Sequence, residues 1–378
     1  MHRTLAAAFI SLLALGCALP SATAEPVWKW LTLPDQAKQK DLRSVFFLDA
    51  KLGWIVGDGG LCLATADGGT TWAVLPTGSQ ATLRDVRFTD AMHGWACGDG
   101  DPNAPEVRAG HVLIGAKIKN LSATLLVTED GGKTWKTHWI TTGFEVPSVE
   151  IAAAPVLQVG IGGRMGHMDG DIMRSSDNGA TWRSARCYRA LFDIRALDQK
   201  QWVAVGGPVS VGFFPQPSSP LYKEKSCRAL FSKDGGRTWA PAKGSDGKGI
   251  LRRAASKPGL PLLAVGDRGT ILLSDDAGEN WRATESPFKV ELRGIAFGAG
   301  QSQLALAVGR EGAVFLSLDR GRTWQWGPRV CAHLLSVTAA GDSFVAVSES
   351  GRACKAEEAK LRDAAAEKAR PKQAAEKP

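Results

Sequence analysis

The sequence contains no Cys-x-x-Cys pair and, after its N-terminal segment, no run of about 18 uninterrupted apolar residues. The first absence leaves zinc and thioredoxin-type chemistry with little support. Because of the second absence, no further membrane-spanning helix is expected. The formal net charge is +8, but the basic residues are spread along the chain rather than clustered. This distribution argues against nucleic acid and favours an acidic protein surface or anionic head groups as the partner.

Residues 1–24 have the pattern of a secretory signal peptide. A basic start precedes an apolar run from Leu5 to Leu19, and Ala22 to Ala24 offer a small-residue cleavage site. We therefore expect an exported, periplasmic protein. Lipoprotein processing at Cys17 is the alternative.

Removal of this segment leaves six cysteines, an even number that predicts disulfides in an oxidising compartment. Pairing of sequential neighbours is one hypothesis among the possible connectivities, and reduced, buried thiols are the alternative. The three pairs would be Cys62 with Cys97, Cys187 with Cys227, and Cys331 with Cys354.

A [ST]-x-D-x-G-x-[TN]-W pattern, which we call the box, occurs six times. Its copies are Thr65–Trp72, Thr128–Trp135, Ser175–Trp182, Ser232–Trp239, Ser274–Trp281 and Ser317–Trp324. The aspartates, Asp67, Asp130, Asp177, Asp234, Asp276 and Asp319, are separated by 63, 47, 57, 42 and 43 residues. A unit of about 42 residues with three insertions is typical of propeller blades.

Each box is typical of a hairpin turn. The aspartate can accept hydrogen bonds from its own turn, the glycine two residues later permits a positive φ, and the tryptophan begins the returning strand with a large apolar surface. The tryptophans are Trp72, Trp135, Trp182, Trp239, Trp281 and Trp324. Because nothing in the pattern is reactive, we interpret the boxes as structural.

Between boxes, short runs of β-forming residues predict three further strands per unit. Seven inner strands are expected, beginning near Leu42, Leu83, Val146, Leu191, Leu251, Leu292 and Leu334. The last unit lacks a box, and Val27 to Leu31 could supply its outer strand. The prediction is an all-β, seven-bladed β-propeller of four-stranded antiparallel blades over residues 25–354, closed by the N-terminal strand. Residues 355–378 form a charged tail rich in Ala, Lys and Glu, predicted as a frayed helix or, more simply, as disordered.

The boxes, combined with Leu42-Arg43, Gly53-Trp54 and Gly94-Trp95, resemble the photosystem II stability and assembly factor family, within the wider Asp-box or bacterial-neuraminidase-repeat proteins. The resemblance covers about residues 27 to 354. It implies a non-catalytic assembly chaperone that binds a partner polypeptide and uses no cofactor.

The residues also predict a binding surface without this resemblance. Arg43, Arg84, Arg252 and Arg293 each follow the leading Leu of an inner strand and should lie along one arc at a channel mouth, which we call the arginine arc. Guanidinium groups bind carboxylates with two parallel hydrogen bonds, so an acidic segment or a carboxyl terminus of a membrane-associated partner is the expected ligand, bound by a monomer. The structural alternative is that each arginine pairs with a nearby acid, such as Asp58, Asp99, Asp267 or Glu311.

The long insertions are expected on the same face, in the turns between second and third strands. They are Gly100 to Ala123, Gly160 to Gly170 and Gly206 to Cys227. Phe213, Phe214 and Tyr222 in the last loop could dock a partner or pack onto their own blade. His111 and the segment Gly163 to Asp169, which contains His167, could bind a metal ion, but two His in unrelated loops are usually solvated, so no metal site is predicted.

A sialidase-like glycoside hydrolase is the alternative function. Such an enzyme needs a tyrosine nucleophile, and the sequence contains only Tyr188 and Tyr222. Tyr222 and its neighbour Glu224 lie in a long loop, a poor place for a rigidly held nucleophile. The sequence therefore favours a docking protein without catalytic or metal-binding residues.

Overall fold

The computed structural model describes residues 25–102, 122–141, 145–153, 156–162, 171–177, 179–187, 189–209, 226–247, 249–284 and 289–369. Within these ranges, the strands form seven four-stranded antiparallel sheets. Six sheets take their four strands from consecutive segments of the chain, and the seventh combines three C-terminal strands with the N-terminal strand β1. Each sheet is one blade of a β-propeller.

The strands are listed from the inner to the outer edge of each blade. Blade one contains β2 (Leu42–Phe47), β3 (Gly53–Gly57), β4 (Cys62–Thr65) and β5 (Ala73–Val74). Blade two contains β6 (Leu83–Phe88), β7 (Gly94–Gly98), β8 (Ser122–Thr128) and β9 (Lys136–Thr141). Blade three contains β10 (Glu145–Ala153), β11 (Val156–Gly162), β12 (Asp171–Ser175) and β13 (Arg183–Arg186). Blade four contains β14 (Arg189–Ala196), β15 (Trp202–Val209), β16 (Ala229–Ser232) and β17 (Ala240–Pro241).

The remaining blades follow the same order. Blade five contains β18 (Leu251–Ala255), β19 (Leu262–Gly266), β20 (Ile271–Ser274) and β21 (Arg282–Ala283). Blade six contains β22 (Leu292–Phe297), β23 (Ala305–Gly309), β24 (Val314–Ser317) and β25 (Gln325–Trp326). Blade seven contains β26 (Leu334–Ala340), β27 (Ser343–Ser348), β28 (Ala353–Glu357) and β1 (Lys29–Trp30).

The hydrophobic core is divided among the spaces between adjacent blades. Every residue of β3 is buried, because this second strand has a neighbouring blade on each side. One interblade cluster joins Trp54 and Val56 of blade one to Leu83 and Phe88 of blade two. The rings of Trp54 and Phe88 stack with their centroids 3.6 Å apart. Blades are therefore held together mainly by apolar burial and aromatic stacking.

A β-bulge at the start of the inner strand explains the recurring Leu-Arg pair. Leu42 pairs with Gly57 and Ser44 with Val56, so Arg43 is the extra residue of its strand. A Cβ at Gly57 would lie 2.3 Å from the carbonyl oxygen of Asp41, which excludes any larger residue there. The same register shift occurs at Arg84, Arg252 and Arg293.

The box turns are closed by their own side chains. In the first box, Thr71 donates to both carboxylate oxygens of Asp67, from its backbone N–H at 2.9 Å and its hydroxyl at 2.6 Å. Gly69 has φ +90°, and its N–H donates to Oγ1 of Thr65 at 2.9 Å. Trp72 Nε1 donates to the carbonyl of Gly69 at 3.1 Å. The other five aspartates accept equivalent bonds from Thr134, Thr181, Thr238, Asn280 and Thr323.

The N-terminal strand completes blade seven. Lys29 pairs with Lys355 and Trp30 with Cys354, in antiparallel register. Trp28 is buried in the same hydrophobic cluster as Phe344, and its Nε1 donates to the carbonyl of Pro328 at 3.1 Å. The two ends of the domain therefore meet in one sheet.

The C-terminal tail is helical over part of its length, which agrees with the helical alternative and not with the disordered one. Strand β28 runs on to Glu357, and an α-helix, α1, follows over Glu358–Ala369. Leu361 and Ala365, four residues apart, are buried against the blade-seven cluster. Ala, Lys and Glu are strong helix formers, so one buried stripe is enough to hold the segment on the propeller.

The predicted disulfides are also corrected. Cys62, Cys97, Cys227 and Cys354 are thiols without a disulfide, and each of the three predicted pairs needs at least one of them. Cys62 and Cys97 lie in different interblade clusters, and Cys354 is buried whereas Cys331 is exposed. Burial raises the pKa of Cys62 to about 12, so this thiol stays protonated and unreactive.

Candidate functional site

The propeller has two chemically different faces. Turns between second and third strands lie beside the starts of the inner strands, as shown by the bond from Asp58 N–H to the carbonyl of Asp41 at 3.1 Å. Box turns lie beside the turns between first and second strands, as shown by the bond from Gly68 N–H to the carbonyl of Lys51 at 3.0 Å. We call the first the arginine face and the second the box face.

On the arginine face, Arg43 and Arg84 each form an ion pair with an aspartate of their own blade. Arg43 Nε donates to Asp58 at 2.9 Å, and its Nη2 lies 3.0 Å from Asp41. Arg84 donates to Asp99 through Nε and through Nη2, the latter at 2.8 Å. Each of these guanidinium groups presents Nε and Nη2 to one carboxylate, Arg43 to Asp58 and Arg84 to Asp99.

Arg252 and Arg293 share an acid between blades. Arg252 Nε lies 2.8 Å from Asp267 and 3.0 Å from Glu291. Arg293 Nε donates to the same Glu291 at 2.7 Å, and its Nη1 lies 3.6 Å from Glu349. Glu291 therefore links these two arginines across adjacent blades.

The sequence offered the alternative that each arginine of the arc pairs with a nearby acid. Three of the four acids named there, Asp58, Asp99 and Asp267, do form these pairs. The fourth differs, because Arg293 pairs with Glu291 and Glu349 rather than with Glu311. The arginine side chains are still 19% to 27% exposed. The arc is thus a hydrated rim of alternating charges, in which ion pairs are individually weak.

Other residues singled out from the sequence lie outside the described ranges. These are the signal segment with Cys17, most of the three long loops, His111, Tyr188, and the candidate docking residues Phe213, Phe214 and Tyr222. Within the described ranges, no group of three or more His, Cys, Asp or Glu side chains could hold a metal ion. None of the helices there is long and apolar enough to cross a membrane.

Inside the channel, a cluster of charged residues was missed by the sequence reasoning. Asp85 accepts from the hydroxyls of Ser44 at 2.7 Å and Ser148 at 3.0 Å, which belong to blades one and three. Arg253 of blade five crosses the channel, with Nη1 3.3 Å from Asp85 and 3.1 Å from Asp193. This one guanidinium connects blades two, four and five.

A second layer of charges lies next to this cluster. Arg87 Nη1 is 3.1 Å from Asp85, and Arg195 Nη2 is 3.1 Å from Asp193. Glu150 lies between the two arginines, 2.9 Å from Arg195 and 3.7 Å from Arg87. We call Asp85, Arg87, Glu150, Asp193, Arg195 and Arg253 the channel cluster.

Burial makes the channel cluster depend on its own pairing. Asp85 and Asp193 have side chains that are 0% exposed. Burial alone would raise the pKa of Asp85, but Arg87, Arg253 and Arg195 outweigh it and hold that pKa well below the usual range. The carboxylate therefore stays ionised, and its removal from water is balanced by these arginines together with the hydroxyls of Ser44 and Ser148.

A sequence signal for the channel cluster was present in the inner-strand alignment. The cluster occupies the second and fourth positions after the leading residue, as in Leu83-Arg84-Asp85-Val86-Arg87. Alternate residues of an inner strand point into the channel. Charges at these positions, in a strand otherwise buried, could have predicted the cluster.

The fold and the two sets of arginines define a class: a β-propeller scaffold that displays a charged rim at one channel mouth. Comparison with known proteins is consistent with this class. The chain is 23% identical over 324 residues to the photosystem II assembly lipoprotein Ycf48 of Synechococcus sp. (strain CC9902), covering 74% of this chain and 88% of that protein. No protein-family model matches the chain.

Two solved structures of similar proteins share the fold. A structure of YCF48 bound to D1 peptide aligns with a TM-score of 0.61 and 19% identity, over 88% of this chain and 98% of that one. A structure of YCF48 from Cyanidioschyzon merolae aligns with a TM-score of 0.57 and 16% identity, over 88% and 99%. At these identities the structural likeness establishes the fold alone. With the sequence match, the chain is a homologue of the Ycf48 photosystem II assembly factors, and the family resemblance predicted from the sequence is confirmed.

Proposed function

We propose that this chain is a non-catalytic, exported propeller that binds a segment of a membrane protein on its arginine face and thereby assists assembly of a membrane complex. The observation that carries the proposal is the arginine arc, four guanidinium groups at equivalent bulges around one channel mouth. A homologous structure was solved with a D1 peptide bound, which supports a polypeptide ligand for this chain as well.

The rim chemistry suits exchange of partners. The carboxylates paired with the arc are 21% to 33% exposed, so they remain hydrated and hold the arginines weakly. A peptide carboxylate can replace a carboxylate of the rim at little cost in desolvation. An acidic segment or carboxyl terminus is therefore the ligand chemistry that we propose.

Each arginine of the arc lies at a β-bulge of its inner strand. Because each bulge is enforced by a glycine opposite it, the arginine backbone is positioned before a partner binds. A rigid backbone lowers the entropy that is lost on association.

Export and location are part of the proposal. The signal-peptide pattern of residues 1–24 supports delivery to the periplasm. The similar Synechococcus protein is a lipoprotein by name, which supports lipid attachment at Cys17 as the alternative. The sialidase-like alternative is not favoured, since the comparisons point to assembly factors.

The test is the binding of a fluorescent D1 peptide, measured by anisotropy, to wild type and to the double variant Arg84→Gln/Arg293→Gln. We expect the double variant to bind at least tenfold more weakly, with a melting temperature within a few degrees of wild type. The matched control is Arg237→Gln/Arg322→Gln, which removes the same charge from exposed residues of the box turns. Equal loss of binding in both double variants would refute a specific arginine-face site.

A further inference from the structure

Three arginines meet on the box face, between blade three and the box turn of blade four. Arg174 of β12 donates through Nε to the carbonyl of Gly235 at 2.7 Å, and Arg237 donates through Nη1 to the carbonyl of Asp234 at 3.1 Å. Arg183 of β13 is the direct cross-strand partner of Arg174. The side chains of such a pair lie on one face of the sheet, so Arg183 faces the same turn. We call Arg174, Arg183 and Arg237 the box-face arginines.

The direct pairing of two like charges is destabilising, and blade seven has an equivalent pair that is balanced by an acid. Lys355 of β28 pairs with Lys29 of β1, and it donates to the carbonyl of Gly68, the glycine after a box aspartate, at 2.8 Å. Lys29 forms an ion pair with Glu25 at 3.0 Å. In blade three, none of the carboxylates that the structure describes forms an ion pair with either arginine of the pair.

The residue after a box tryptophan gives a second comparison, because it is basic in blades two, three and five. In blades two and five it pairs with a carboxylate at the second position of its own box. These pairs are Lys136 with Glu129 at 3.1 Å and Arg282 with Asp275 at 2.8 Å. In blade three the basic residue is Arg183, and the second box position is Ser176, which has no charge. Arg183 therefore lacks the acid that its counterparts have.

The fold does not require a charge at the position of Arg174. The residue directly before the box is apolar in the other five copies, which have Ala64, Val127, Phe231, Leu273 and Leu316. Burial, together with the positive charges of Arg237 and Arg183, lowers the pKa of Arg174. Among the carboxylates in the described ranges, Asp234 alone opposes this effect. A bound anion would relieve the repulsion among the three guanidinium groups.

The carboxylates of the surrounding turns have donors of their own. Both oxygens of Asp234 accept from Thr238, from its N–H at 2.9 Å and from its hydroxyl at 2.6 Å. Of the others, Asp177 accepts from Thr181, Asp198 accepts from the N–H groups of Lys200 and Gln201, and Glu279 pairs with Lys233. Arg183 and Arg237 are exposed, so their guanidinium groups are open to a ligand from solvent.

We propose that the box-face arginines bind a phosphate group, either free or as the headgroup of a lipid. A terminal phosphate group has three oxygens that can accept from three guanidinium groups, whereas a carboxylate has two. Its charge of about −1.5 to −2 at neutral pH would take the part that Glu25 and Glu129 have in the other blades. The site lies on the face opposite the arginine arc and is independent of the proposed docking function.

The first test is isothermal titration calorimetry with inorganic phosphate at low ionic strength. Wild type should bind with a Kd below about 10 mM. Arg183→Gln should weaken binding at least fivefold, because it removes an exposed guanidinium that has no acid of its own. The matched control is Arg282→Gln, which removes the same charge after a box tryptophan where Asp275 already pairs with it, and it should leave binding unchanged.

A second variant supplies the missing acid. Ser176→Glu copies the arrangement of Glu129 and Lys136 in blade two. It should weaken phosphate binding at least fivefold, because its carboxylate occupies Arg183, and it should leave the melting temperature equal to that of wild type or slightly higher. A variant that folds as well as wild type thus tests the site without removing any arginine.

Cosedimentation with phosphatidylcholine vesicles, with and without phosphatidic acid, distinguishes the two sources of the phosphate group. Retention of wild type and Arg282→Gln but not of Arg183→Gln on phosphatidic acid vesicles would assign the site to a lipid headgroup. Phosphate binding in solution without such retention would assign it to a free anion.

Three results would overturn the proposal. The first is that wild type binds neither phosphate at about 10 mM nor phosphatidic acid vesicles. The second is an equal loss of binding in Arg183→Gln and Arg282→Gln, which would mean that phosphate responds only to net charge. The third is acetate binding as tightly as phosphate, which would remove the role of the third oxygen.

Discussion

The arginine arc and the channel cluster are both made of arginines paired with carboxylates, yet they differ in burial. Arc arginines are 19% to 27% exposed and their acids 21% to 33% exposed. In the channel the arginines are 12% to 13% exposed, and two of the acids are 0% exposed. Hydrated ion pairs can exchange partners at little cost in free energy, whereas breaking a buried ion pair leaves a buried charge without a partner. We infer that one set of arginines is available for binding and that the other holds the blades in place.

The largest effect is expected for Arg253→Met. This change leaves Asp85 and Asp193 without the guanidinium that bridges them, so we expect a loss of about 3–5 kcal/mol in the free energy of unfolding. Urea denaturation followed by tryptophan fluorescence measures it. The control is the adjacent residue, since Arg252→Met removes a rim arginine and should cost about 1 kcal/mol or less. Equal losses of unfolding free energy in the two variants would contradict the distinction between the arginine arc and the channel cluster.

The next largest loss in unfolding free energy is expected for Trp28→Ala. This variant tests the closure of the ring by removing buried apolar surface, whereas Arg253→Met removes a buried charge. Trp28 is 7% exposed and buried beside Phe344, so its truncation should cost about 3 kcal/mol. Trp30→Ala is the matched control, because Trp30 is 42% exposed and packs mainly against Arg352. A small loss for Trp28→Ala, measured by the same urea titration, would mean that the N-terminal strand is dispensable.

A smaller effect is expected in acid, where the exposed box carboxylates can be compared with the buried ones. Hydrogen bonds from Thr71 lower the pKa of Asp67 from 3.8 to about 2, and similar bonds lower those of Asp130 and Asp177 to about 2. A carboxylate with a lowered folded-state pKa stabilises the protein above its unfolded pKa and loses that effect as the pH falls through its folded pKa.

The melting temperature should therefore fall between pH 4 and pH 2. Asp67→Asn should make that fall shallower, since one titrating group is removed. An unchanged pH profile in this variant would show that the first box contributes nothing to acid sensitivity.

The smallest effect on stability is expected from salt. Raising NaCl from about 0.05 M to about 0.5 M shortens the Debye length to a few ångström, which screens the rim but not buried pairs. D1-peptide binding should weaken several-fold while the melting temperature moves by only a few degrees. The opposite pattern, with stable binding and falling melting temperature, would reverse the roles of the two arginine sets.

The sequence predicted those features that repeat. The box spacing, the inner-strand starts and the Leu-Arg pairs recur because each blade needs the same turn, the same bulge and the same glycine, for example Gly57 opposite Arg43. A repeated local constraint leaves a period that can be counted. The placement of Val27 to Leu31 beside the last blade also followed from such counting.

Features that occur once, or that depend on distant contacts, were not predicted. Arg253 meets Asp85 across 168 positions of sequence, a separation that no local pattern encodes. The composition of residues 355–378 left a frayed helix and disorder as alternatives, and it did not predict that Leu361 and Ala365 anchor helix α1 on the propeller. The even number of cysteines predicted disulfides between sequential neighbours, whereas interblade packing places Cys62 and Cys97 in separate clusters.

The most direct test compares D1-peptide affinity and unfolding free energy on the same preparations of Arg84→Gln/Arg293→Gln and Arg253→Met. The first variant should lose at least tenfold in affinity and about 1–2 kcal/mol or less in stability. The second should lose about 3–5 kcal/mol in stability and, at a temperature where it is folded, keep wild-type affinity. An arc variant that unfolds while its affinity per folded molecule is unchanged would contradict the account.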